Sequence, residues 1–225
     1  METIKNYRSH AWPENNRCAH SRHRAGSEAT KMIVTQGSQL AFDAATHIYK
    51  LNGVRIPGVT EVMKFAGLVD DRWFTEESSW RGTAIHLACE LDDQDDLDPA
   101  SVDEPVRLKL EGYRKFKKTM AFIPKTIEEM VCGKIGGMLV AGRPDRTGFL
   151  GLLPIVMDLK SGAVPPQTAI QLAAYSELTG IDQRVAVRLV DNDFILKPYL
   201  LRTRRDDVRQ FQSALAGWWW KHNNG

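Results

Sequence analysis

Residues Gly142–Tyr175 read GRPDRTGFLGLLPIVMDLKSGAVPPQTAIQLAAY, and the placing of charge within them decides how the chain is expected to fold. Asp145 sits in a turn marked by Gly142 and Pro144, while Asp158 and Lys160 close the apolar run LLPIVM. Successive side chains of a strand alternate across the sheet, so Asp158 and Lys160 project from one face. Two readings fit that pair. A carboxylate and an ammonium at a strand end can be a surface ion pair worth about 1 kcal/mol or less. The same groups can serve chemistry, because a hard cation such as Mg²⁺ takes one or two carboxylates together with water and phosphate oxygens. Asp145 and Asp158 offer those oxygens, and Lys160 offers a group that orients the attacking water or helps remove its proton. Pro165-Pro166 then stand where a helix start tolerates proline. On that helix Gln167, Gln171 and Tyr175 share one face, and Ile170, Ala174 and Leu178 another.

Upstream, HIYKLNGVRI at 47–56 predicts two short strands around the two-residue turn Asn52-Gly53. TEVMKFAG follows as a short helix capped by Thr60 and ended by Gly67. A longer helix is expected over about 75–91, with Trp80, Ala84, Leu87, Ala88 and Leu91 as its buried face. His86 and Glu90, four apart, share a different face of it. DDQDDLDPAS at 92–101 reads as a solvated acidic linker, and it lacks the glycine and terminal glutamate of an EF-hand loop.

The next helix, about 103–120, carries Val106, Leu110, Tyr113 and Phe116 as an apolar stripe. Its Arg107, Arg114, Lys115, Lys117 and Lys118 are either a solvated face or contacts to phosphate. Strands near 126–133, 138–143 and 154–160 are expected as a meander, with Glu128 beginning the first and the aspartates at the ends of the last two. QRVAVRLV and FILKPYLL form a hairpin around residues 191–193, and a final helix runs over about 205–222. Three consecutive tryptophans, Trp218 to Trp220, cannot share one helix face, so at least one ring is expected to be exposed. Core closure and base stacking are the two readings of that ring set.

PD in the first turn and DLK at the next strand end resemble the PD-(D/E)xK nuclease superfamily. Gln171 and Tyr175 resemble the Q-x-x-x-Y motif of its RecB-like branch, which also takes in the lambda-exonuclease-like enzymes, and Gly82 and His86 in RGTAIHLACE resemble that branch's G-x-x-x-H helix. The resemblance implies an α/β fold with a restriction-endonuclease-like core, a mixed central β-sheet flanked by helices. It implies a Mg²⁺- or Mn²⁺-dependent DNA exonuclease in which Asp145, Asp158 and Lys160 are catalytic. His86 and the Leu159 carbonyl join the two aspartates as metal ligands, Gln171 and Tyr175 approach the DNA, and Glu90 and Glu128 support the centre from behind. A DNA endonuclease and an inactive DNA-binding recombination partner of the same fold are the alternatives. The same likeness points to phage or mobile-element recombination or repair, with a single-strand-annealing protein as a partner.

Composition sets the frame. The chain has 225 residues, 43% of them apolar and 26% charged, which suits one soluble domain. No apolar run approaches the ~20 residues of a membrane span, and the first residues lack the apolar centre of a secretory signal, so a cytoplasmic protein is expected. Three scattered cysteines, Cys18, Cys89 and Cys132, argue for a reducing compartment. An iron–sulfur cluster of the kind found in some RecB-like relatives needs four thiolates, so none is expected here. Residues 1–31 carry six Lys/Arg against three Glu and read as a disordered basic extension, with the nuclease domain over 32–225. Beyond them 24 basic residues face 25 acidic ones, so DNA binding must rest on a local basic groove.

Overall fold

The computed structural model describes residues 39–69 and 76–224; the extension over 1–31 lies outside the described residues. A three-stranded sheet comes first, made of β1 (Leu40–Asp43), β2 (Ile48–Leu51) and β3 (Val54–Ile56). Asn52 and Gly53 both take positive φ, 52° and 80°, as the tight turn between β2 and β3 requires. Helix α1 (Val59–Phe65) begins one residue before the expected cap, because Glu61 rather than Thr60 serves it: its carboxylate accepts the Gly58 N–H at 3.2 Å.

Helices α2 (Glu76–Asp93) and α3 (Glu104–Met120) follow. The buried stripe of α2 is Ile85, Ala88 and Cys89, whereas Trp80 is 61% and Leu87 51% exposed. This rotates the expected face by about one residue, roughly 100°, and keeps Ala84 and Ala88 against the core, since apolar spacing alone does not say which of two adjacent stripes is buried. Helix α3 buries Val106, Leu110, Tyr113 and Phe116 as its pattern demands.

The remaining elements are β4 (Phe122–Ile127), β5 (Val131–Ile135), β6 (Met138–Gly142), β7 (Arg146–Leu150), β8 (Leu153–Lys160), α4 (Thr168–Thr179), β9 (Gln183–Val190), β10 (Asp193–Tyr199) and α5 (Leu201–Asn224). The central sheet has the order β10-β9-β8-β7-β4, parallel between β8 and β9 and antiparallel elsewhere. Helices α2 and α3 pack on one face, over Ile155, Met157, Leu159, Val185 and Val187. Helices α1, α4 and α5 pack on the other, over Val156 and Ala186. The fold is thus α/β, a mixed sheet flanked by helices, consistent with a restriction-endonuclease-like core. Being covered on both faces, β8 and β9 read as near-continuous apolar runs.

The expected three-strand meander is replaced by a different arrangement. β5 and β6 pair with each other as a two-stranded ribbon apart from the central sheet, and β6 also bridges Gly58 through Ala141. β7, which falls between the second and third expected strands, pairs with both β4 and β8. Its interior Gly148 hid it: a Cβ there would lie 2.3 Å from the Ile123 carbonyl oxygen and 2.6 Å from the Phe122 ring, so only glycine fits. Among the described residues no helix is long and apolar enough to cross a membrane.

Gly112 marks the tightest approach of helix to sheet. A Cβ there would lie 2.3 Å from the Asp193 carbonyl oxygen and 2.8 Å from that of Val190, both backbone atoms of the β9–β10 turn. Gly112→Ala is expected to force α3 off this turn and to destabilise the protein by about 1–3 kcal/mol, read from urea unfolding.

Candidate metal centre

Strand β4 ends irregularly, its register with β7 slipping between Pro124 and Thr126, and Glu128 just beyond it takes φ = 49°. A positive φ at a non-glycine residue is unfavourable and needs support. Here the Glu128 N–H donates to the Asp145 carbonyl at 3.0 Å, which fastens the two loops together. Glu128 therefore follows the first strand rather than beginning it, as the sequence reading had placed it.

Asp145 stands one residue before β7. Since Arg146 pairs with Met157, the same register sets Asp145 opposite Asp158. The Leu159 N–H donates to Asp145 Oδ2 at 2.6 Å. Helix α2 delivers His86, whose Nδ1 lies 3.7 Å from Asp145 Oδ2 and 4.0 Å from Glu128 Oε1. One ligand atom each from His86, Glu128 and Asp145 falls within 4.8 Å of the others.

Asp158 lies beside this trio, 2% exposed, and its two oxygens are 2.9 and 2.7 Å from Lys160 Nζ. The alternation of the strand thus places the two side chains together as expected. Burial pushes the Asp158 carboxyl up to about 6, with the Asp145 charge adding to the rise and Lys160 opposing it. Burial works against a charged Lys160 and a charged His86, but the surrounding carboxylates outweigh it and raise both above their usual ranges. The carboxylates gathered here thus favour the charged forms of His86 and Lys160. An imidazole with several carboxylates is a donor set that suits Mn²⁺ and, through its oxygens, Mg²⁺.

Other candidate residues lie elsewhere. Glu90 is not part of this cluster; it accepts from Gln94, just past the end of the helix, at 3.4 Å. Tyr175 is 4% exposed, and its ring lies against Gly142, where a Cβ would come within 2.6 Å of the ring. Stacking of that ring on a nucleotide, expected from the resemblance, is closed off by this packing. Burial raises the Tyr175 hydroxyl and the hydrogen bond with Gln171 opposes the rise, so half-buried Gln171 neighbours the hydroxyl. Trp218 is buried, Trp219 donates to the Leu139 carbonyl at 3.0 Å, and Trp220 is 71% exposed, which fits the expected split of the three rings.

The sequence reading missed the support of the centre. Arg146 and Asp93 are both fully buried, with Nε of one 2.7 Å from Oδ2 of the other. Tyr113 Oη and Lys117 Nζ, each at 2.7 Å, also donate to Asp93, and Arg146 Nη1 donates to the Asp145 carbonyl at 2.6 Å. Asp92 meanwhile accepts from Arg114 at 2.7 Å and Lys117 at 2.8 Å. The start of the supposed acidic linker is therefore the last turn of α2. The basic face of α3 is largely paired within the protein, Arg107 with Glu104 and Lys115 with Asp193 included, so it is not the free phosphate surface first considered. One signal was present: Asp93 stands seven residues from His86, two turns along one face.

No protein-family model and no curated protein matches this chain. Among solved structures it is similar to SSO0001, at 12% identity and TM-score 0.32, over 69% of this chain and 83% of that one. It is also similar to LHK-Exo in complex with dAMP, at 14% identity and TM-score 0.37, over 72% and 88%. Both TM-scores are low, and the reading of the site rests on its own geometry.

Arg146→Met leaves the buried Asp93 short of its main cation. The variant is expected to lose about 3–5 kcal/mol in urea unfolding, as for other broken buried pairs. The double variant Arg146→Met/Asp93→Asn should recover part of that loss.

Proposed function

We propose that the protein is a divalent-metal-dependent nuclease of PD-(D/E)xK type that hydrolyses DNA phosphodiesters, with exonuclease action favoured. The observation that carries this reading is the convergence of His86, Glu128 and Asp145 beside the Asp158–Lys160 pair. His86, Glu128, Asp145 and Asp158 would hold the metal, so Glu128 moves from a supporting role to a ligand. In an extended strand the N–H and C=O of one residue point to the same side. The Leu159 carbonyl therefore faces the Asp145 side with its N–H, and is available as a further oxygen donor.

When bound, Mg²⁺ or Mn²⁺ would polarise the scissile phosphate and lower the pKa of a bound water. Lys160, held as an ammonium, would orient that water and offset the charge that develops on phosphorus-bound oxygen. Gln171 would reach the strand through its amide, while Tyr175 fixes the helix behind it. A place in recombination or repair, beside an annealing protein, belongs to this reading through the family resemblance.

Asp145→Asn, Asp158→Ala and Lys160→Ala are each expected to abolish or cut metal-dependent degradation of end-labelled linear DNA. For Lys160→Ala the loss should be about 10²–10³-fold, as when one charge-stabilising donor is removed. Wild-type rates in all three would overturn the assignment, and cleavage of covalently closed circles would turn the exonuclease into an endonuclease.

Proton and metal compete at this centre. Asp158 must lose its proton to donate an oxygen, so binding weakens as pH falls through about 6. At pH 7.5, Mn²⁺ at 100 times its Kd should raise Tm by roughly 5–10 °C, with a much smaller rise at pH 5. An equal rise at both pH values, or one surviving His86→Ala/Asp145→Asn, would contradict this ligand set.

A further inference from the structure

This inference rests on the nuclease reading and extends it to how the substrate strand is held. Arg188 on β9 is the direct neighbour of Lys160 across the parallel β8–β9 pair. Cross-strand neighbours share a face, so both side chains rise on the side that carries Asp158. The guanidinium is half-buried, and its Nε is shut away from solvent with no hydrogen-bond partner. Among the described residues the Arg188 side chain donates no hydrogen bond and has no carboxylate within ion-pair reach.

The other arginines held in the interior also leave one nitrogen without a partner, Arg146 Nη2 and Arg184 Nε, but each has a carboxylate. Arg146 has Asp93, and Arg184, on the same face of β9, has Asp207 at 2.7 Å and the Ala169 carbonyl at 2.9 Å. Arg184 belongs to the framework between α4 and α5. Leaving a charged donor enclosed and unpaired is unfavourable, and such a group calls for an acceptor from outside the chain. Asp158, on the same face, is already held by Lys160.

We propose that Arg188 binds a backbone phosphate of the DNA strand, next to the one being cleaved. The planar guanidinium presents paired N–H donors that match phosphate oxygens. Position selects which phosphate. Asp145 precedes β7, Lys160 ends β8 and Arg188 is on β9, so Arg188 lies across Lys160 from the His86–Glu128–Asp145 trio. It reaches the neighbouring phosphate and acts as a positioning residue, outside the bond-breaking step.

The test measures binding of a short DNA duplex to the full chain by fluorescence anisotropy across a salt series in EDTA. Cleavage kinetics with Mn²⁺ run alongside. Arg188→Gln is expected to weaken binding and to lower the slope of log K against log salt by about 0.7–0.9, the loss of one phosphate contact. KM should rise with kcat nearly unchanged, Arg188→Lys should keep most of the slope, and Arg188→Met should unfold at the same temperature as wild type or higher. An unchanged salt slope, or a marked fall in Tm for Arg188→Met, overturns the proposal, the latter by showing a structural role. Wild-type cleavage with an unchanged slope removes Arg188 alone. A wild type that neither binds nor cleaves DNA removes the nuclease reading and Arg188 with it.

Discussion

Carboxylates crowded into a half-buried space repel one another, and the architecture around β7 and β8 is arranged to hold them there. Asp145, Glu128 and Asp158 converge where β4, β7 and β8 end or begin. Two cations oppose the repulsion, Lys160 from β8 itself and Arg146 from the core beneath, and the His86 imidazole joins them from α2. Only Arg146 is fully enclosed, and its tie to Asp93 makes the position of the Asp145 loop depend on how α2 and α3 dock. The site and the helical layer on that face are one electrostatic unit.

Close backbone approach does the rest. Gly142 lets the Tyr175 ring lie against the loop before Asp145, and Gly148 lets β4 close on β7. Both glycines trade side-chain packing for proximity, and each holds an element that bears on the aspartates. Tyr175 emerges as a wedge between α4 and that loop, which explains a tyrosine four residues after Gln171 without any contact of its ring with a ligand.

The charge pattern also changes how a nucleic acid would meet the protein. Much of the positive charge on α3 is consumed by Asp92, Asp93, Glu104 and Asp193. Among the described residues the Arg188 side chain stays unpaired, on the sheet face that carries Lys160. A molecule with a near-neutral body can then hold a polyanion only along a narrow track.

From the sequence alone, the pairing of Asp158 with Lys160, the Asn52-Gly53 turn, the stripe of α3 and the α/β class were legible. The first three follow from local rules of periodicity or turn chemistry that need no partner, and the α/β class is what the family resemblance implied. Glu128 as a member of the cluster, the Arg146–Asp93 bond and the strand hidden at Gly148 were not legible. They depend on residues far apart in the chain meeting in space: Asp93 and Arg146 carry the same letters as any surface acid and base until α2 and β7 are packed together. Period and propensity choose the elements, whereas burial decides which charges must find each other, and burial exists only once the layers have closed.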